Sequence, residues 1–213
     1  MAQPWRRVAH NAGMPSTPRG TGLRPATLPT SQRVLLLVDF ITSLDFPGAD
    51  ALAPHALQAA RATAALKQRL RDEGVPTIYA NDNYGVWQSD FHSLVSTCLG
   101  LEGPAGEIAR LLYPQADDIT ILKPRHSAFY ASALELLLTE MGARELVICG
   151  LATDMCVQLT AADAFLREFK VWVPADCNAA ETEGAKARAL EYMGNVLKCD
   201  VRPSTDVRAT AAA

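Results

Sequence analysis

The chain has 213 residues, 49% of them hydrophobic and 20% charged, with a formal net charge of −3. That length suits one domain with its own core, and the slight negative charge offers no electrostatic handle for nucleic acid. No apolar stretch approaches the roughly 20 residues that cross a bilayer, so neither a membrane nor a nucleic acid is an expected partner.

The first 30 residues hold four arginines, five prolines and no acid. Such a segment buries too little apolar surface to offset its ordering entropy and reads as a flexible N-terminal extension, 1–30. A transit peptide shares this composition, but the prolines oppose an amphipathic helix, and a later start at Met14 is an alternative. From there, β-rich apolar runs recur at Val34–Val38, Val75–Ala80, Ile119–Leu122, Leu146–Cys149, Val171–Val173 and Val196–Cys199. Continuous runs of this kind suit strands buried on both faces of a parallel sheet. Helical patterns fall between them. Leu57, Leu66 and Leu70 belong to a helix ending at Gly74. Ser127 is placed to cap a helix running to Met141. Two further stretches run over Asp154–Phe169 and Glu181–Met193.

Alternating strands and helices imply βαβ units, hence a three-layer, doubly wound α/β fold with a six-stranded parallel sheet between helices, over 31–202. Residues 203–213 read as a flexible tail. The aromatic, turn-rich stretch Asn81–Tyr113 is expected to cover the active site, since long irregular connections are often functional.

Five cysteines (Cys98, Cys149, Cys156, Cys177 and Cys199) show no CxxC pairing. Their odd number, without a secretory signal, suggests free thiols and a cytoplasmic location. The histidines His10, His55, His92 and His126 form no HxH or HExxH pattern. No metal or other cofactor is expected from such spacing.

In open α/β sheets, ligands bind beyond the carboxyl ends of the strands. Asp39 directly follows Val34–Val38, Lys123 directly follows Ile119–Leu122, and Cys156 stands where the turn after Leu146–Cys149 enters a helix. A thiol near a helix N-terminus and a Lys ammonium is activated as a nucleophile. A carboxylate within reach accepts its proton and later returns it to a leaving amine. N–H groups of the Gly150–Thr153 turn suit an oxyanion. Each residue also has a plainer reading: Cys156 as a small buried hydrophobe, Asp39 as a turn residue, Lys123 as a solvated strand end. Spacing alone leaves both readings open.

Three motifs then stand in order: Val34–Asp39 followed by Phe40; Lys123–Pro124–Arg125–His126–Ser127–Ala128–Phe129; and Gly150–Leu151–Ala152–Thr153–Asp154–Met155–Cys156–Val157. Together they resemble the isochorismatase-like cysteine hydrolases, over roughly Arg33 to Asp200. The resemblance implies a catalytic triad of Asp39, Lys123 and Cys156. It also implies a non-proline cis peptide between Leu151 and Ala152, with the N–H groups of Ala152 and Cys156 forming an oxyanion hole. Tyr84, Trp87, His126 and Phe129 are the candidate substrate-binding residues, although Trp87 and Phe129 are equally suited to core packing. A dimer or tetramer of identical chains is expected by the same analogy.

Two departures narrow the expected activity. Nicotinamidases of the family carry an Asp-x-His pattern and a further His for a metal, whereas Tyr79–Trp87 offers Asp82 without histidines. A lone carboxylate among amides is a poor transition-metal site. Members that cleave isochorismate lack the cysteine, so Cys156 favours hydrolysis of a C–N bond in a small amide, ureide or carbamoyl substrate. Vinyl-ether hydrolysis, or an idle binding protein on the same fold, is the alternative.

Overall fold

The computed structural model describes residues 27–88 and 90–206. Most of the arginine-rich extension, residues 1–26, and the end of the tail, residues 207–213, lie outside the described residues. The described start of the tail is tied down. Ser204 is buried, its N–H and hydroxyl both donate to Asp176 at 2.6 Å, and its carbonyl accepts from Arg69.

Six strands form one parallel sheet: β1 Arg33–Val38, β2 Thr77–Asp82, β3 Ile119–Lys123, β4 Glu145–Leu151, β5 Lys170–Trp172 and β6 Asn178–Ala179. Their order is β3-β2-β1-β4-β5, with β6 pairing β4 beyond the end of β5. The helices are α1 Ala49–Asp72, α2 Phe91–Leu99, α3 Pro104–Leu111, α4 Leu134–Met141, α5 Gln158–Leu166 and α6 Glu183–Asn195.

β1 shows why the sheet lies in the middle. Alternate side chains of a strand point to opposite faces. Leu35 and Leu37 pack with α1, α2 and α3 on one side, while Val34, Leu36 and Val38 pack with α4, α5 and α6 on the other. All five are fully buried, each worth about 1.5–3 kcal/mol against exposure. α1 buries Leu52, Ala56, Ala59, Ala60, Thr63, Leu66, Lys67 and Leu70, a three- and four-residue rhythm that makes one face. It stops at Gly74, whose φ of +79° suits glycine.

Two expected elements fall elsewhere. Val196–Cys199 is not a strand; only an isolated bridge from Trp172 to Asp200 follows it, and the sixth strand is Asn178–Ala179. There the fully buried Asn178 accepts from the Gly150 N–H at 2.8 Å and donates to the Pro174 carbonyl at 2.7 Å. A short polar strand held this way has no apolar run to betray it. The helix expected from Ser127 begins only at Leu134; the Ser127 hydroxyl donates to Asp163 and accepts the Phe129 N–H at 3.2 Å in a local turn that does not continue as helix. Within Asn81–Tyr113, α2 and α3 pack against the apolar face of the sheet with α1, and Asp82 and Tyr84 are the part that faces the site.

Candidate active site

All strands are parallel, so their carboxyl ends share one edge. Two neighbours on that edge, β1 and β4, carry Asp39 and the turn to Cys156, and β3 brings Lys123. β1 and β4 approach closely because residue 150 is glycine: a Cβ there would lie 2.3 Å from the Val38 carbonyl oxygen. Asp39 then leaves the strand with φ +52°, a conformation that Asp tolerates better than most residues, which turns its side chain over the sheet edge.

Lys123 is fully buried, with its ammonium 2.8 Å from Asp39 Oδ2, 3.7 Å from Asp82 Oδ2 and 3.8 Å from Cys156 Sγ. Its remaining donor capacity goes to the Arg125 carbonyl at 3.2 Å. Asp39 Oδ1 accepts the Asp82 N–H at 2.7 Å, and the Asp39 carboxylate also bonds the Cys156 thiol. His126 Nδ1 lies 3.6 Å from the same sulfur. The three residues singled out on separate strand ends therefore meet.

Electrostatics decide where the protons rest. Burial raises the Asp39 carboxyl above its ordinary value, against the opposing pull of Lys123. Burial works against the Lys123 charge, but Asp39, Cys156 and Asp82 outweigh it and raise its proton affinity. Burial and the Asp39 carboxylate push the Cys156 thiol up to about 12, more than Lys123 draws it down. The sequence suggested a thiolate stabilised by a helix end. In the structure Cys156 lies within a wide π-helical turn, Thr153–Val157, ahead of α5, and keeps its proton. The arrangement suits removal of that proton during attack, with Asp39 as the base.

A second set of contacts fixes Cys156 against the Lys123 loop. The Thr160 hydroxyl donates to the Cys156 carbonyl at 2.6 Å and accepts the Ala128 N–H at 3.0 Å. Ser127 donates to Asp163, and Asp163 accepts from Arg167 at 2.9 Å. Thr160 escaped the sequence reading; its one signal is its place one helical turn after the cysteine.

A cavity of about 630 Å³ opens above Asp39 and Cys156. Tyr84 and His126 line it, as does Ala152, whose peptide bond with Leu151 is cis. Trp87 and Phe129 do not. Trp87 is 77% exposed away from the lining, and Phe129 is buried in the core beside Phe169 with Arg167 stacked 4.8 Å from its ring. The sequence missed Thr42, Phe46, Leu52, Met155 and Glu181, which come from three distant segments. Among the described residues no group of three or more His, Cys, Asp or Glu side chains is placed to hold a metal ion. A second hollow of about 720 Å³ beside β5, walled by Phe165, Leu166 and Leu197, has no cysteine or histidine among the described residues that line it.

Known proteins resemble this chain in sequence and in fold. A family model for the isochorismatase domain matches residues 33–199. Over 171 residues the chain is 35% identical to an uncharacterized isochorismatase family protein, YaaI, of Bacillus subtilis, covering 80% of this chain and 93% of that one. Over 166 residues it is 29% identical to the maleamate amidohydrolase of Pseudomonas putida, covering 74% of this chain and 73% of the relative. In fold it matches an isochorismatase family protein from Desulfovibrio vulgaris, with a TM-score of 0.68 at 24% identity over 84% of this chain and 97% of that chain. The chain belongs to the isochorismatase family.

Proposed function

We propose that this isochorismatase-family hydrolase cleaves a C–N bond of a small amide, ureide or carbamoyl compound through a thioester on Cys156. The observation that carries the reading is the buried Lys123 ammonium, which touches both the Asp39 carboxylate and the Cys156 sulfur. A buried cation there stabilises negative charge as it passes between those two groups.

Asp39 takes the thiol proton as sulfur attacks the carbonyl carbon, and the oxyanion receives the N–H groups of Ala152 and Cys156. The C–N bond breaks, and Asp39 returns the proton to the departing nitrogen, leaving the acyl group on sulfur. Asp39 then draws a proton from water as its oxygen attacks the thioester, and the proton returns to Cys156 as the acid leaves. One water is consumed for each ammonia or amine released. His126 and Tyr84 are assigned to substrate contact.

The maleamate amidohydrolase relative supports this class of reaction. The test is ammonia release from a panel of small amides by the wild-type protein and by Cys156→Ala. The variant is expected to lose at least about a thousandfold in kcat while remaining folded. Unchanged turnover in Cys156→Ala, or pyruvate release from isochorismate in its place, would contradict the proposal.

A further inference from the structure

The cavity wall is lopsided in charge. Carboxylates of Asp39, Asp82, Asp154 and Glu181 line it, and His126 is the basic residue among them. Lys123 lies beneath, its ammonium already engaged by Asp39. With Asp39 paired to Lys123, the carboxylates of Asp82, Asp154 and Glu181 remain to face an incoming anion. Among the described residues no arginine lines the cavity. Arg125, next to His126 in sequence, is exposed and donates to the Pro124 carbonyl at 3.2 Å.

Glu181 is the exposed carboxylate on the side of the cavity formed by the starts of α1 and α6. It lies so close against Gly48, the residue before α1, that a Cβ there would come within 2.3 Å of Oε1. A helix N-terminus favours a carboxylate in that position. The next residue, Thr182, caps α6 by accepting the Ala185 N–H at 3.1 Å. Two helix starts thus place Glu181 at the wall, beside Phe46, Leu52 and Met155. A substrate carboxylate entering here would lose water and meet like charges on the wall.

We propose that the cavity takes amides whose distal end is uncharged or cationic and turns away those carrying a carboxylate, with Glu181 setting the preference. The inference rests on the reading of this cavity as a Cys156 hydrolase site. The charge preference is also measurable without turnover. The other four cysteines are buried, so thiol labelling reports Cys156.

The experiment compares cationic 2-aminoethyl and anionic 2-sulfonatoethyl methanethiosulfonate, each normalised to its rate with 2-mercaptoethanol. The cationic reagent is expected to label Cys156 about tenfold faster, and Glu181→Gln to narrow that ratio about threefold. Asp154→Asn, at the exposed rim, is the second variant and should narrow it in the same direction. Equal normalised rates, or a ratio unmoved by either variant, would overturn the inference. A second arm compares kcat/KM for three amides of matched length: butyramide, β-alaninamide and succinamate. A preference for succinamate overturns the inference and leaves the hydrolase reading intact, whereas amide turnover retained in Cys156→Ala overturns that reading itself.

Discussion

The Cys156 thiol sits between a carboxylate that discourages its ionisation and an ammonium that encourages it, in surroundings that exclude much of the water. Burial and Asp39 prevail, so the sulfur holds its proton to about 12 in the free protein. Iodoacetamide alkylation reports the thiolate fraction, and an ordinary thiol reaches its plateau above a pKa near 8.5. The Cys156 rate is expected to keep rising about tenfold per pH unit through pH 10. Asp39→Asn should bring the plateau to lower pH, because a repelling carboxylate is removed while Lys123 stays. A wild-type plateau near pH 8 would contradict this. At this scale the meeting of Asp39, Lys123 and Cys156 was legible, because each directly follows a strand or its turn and stands in a recognisable motif. Glu181 and Thr42 were not, because nothing local marks a residue that reaches the site only through the meeting of separate helices and loops.

The clamp between α5 and the loop after β3 is the structural element on which the geometry of the site depends. Thr160 joins the Cys156 carbonyl to the Ala128 N–H, so one hydroxyl ties the turn of Cys156 to the segment that carries Lys123. Thr160→Val keeps the shape but leaves the buried Ala128 N–H without its acceptor, a cost of about 1–3 kcal/mol. We expect a lower urea midpoint and about a tenfold fall in kcat with little change in KM, as for a positioning residue. A normal kcat in a destabilised variant would limit Thr160 to a structural role. The helices α1 and α6 and the first five strands were visible from apolar rhythm and stop signals. β6 was not, since a two-residue strand anchored by the Asn178 side chain carries no hydrophobic pattern.

Over the whole molecule, the α/β architecture followed from the alternation of strands and helices, and the parallel sheet then placed every strand's carboxyl end on one edge. Burial of the thiols gives this fold a characteristic response to alkali. Cys98, Cys149, Cys156 and Cys199 are all raised by burial, to about 11 for Cys199 and about 12 for Cys156. In the unfolded chain they ionise near 8.5, so above that pH the folded state binds more protons than the unfolded one. Stability is therefore expected to fall as pH rises from about 8.5 through 11. Cys199→Ala should flatten the slope of urea midpoint against pH, and a midpoint rising over that range would contradict the assignment. Among the described residues no helix is long and apolar enough to cross a membrane.

The central claim is that Cys156 carries the acyl group during turnover. Its most direct test is intact-protein and peptide mass spectrometry after rapid acid quenching during hydrolysis of a slowly deacylating amide. The account predicts a mass increase equal to the acyl group, on the peptide containing Cys156, lost on hydroxylamine treatment and absent in Cys156→Ala. Steady hydrolysis with that peptide unmodified throughout, under conditions where deacylation limits the rate, would contradict it.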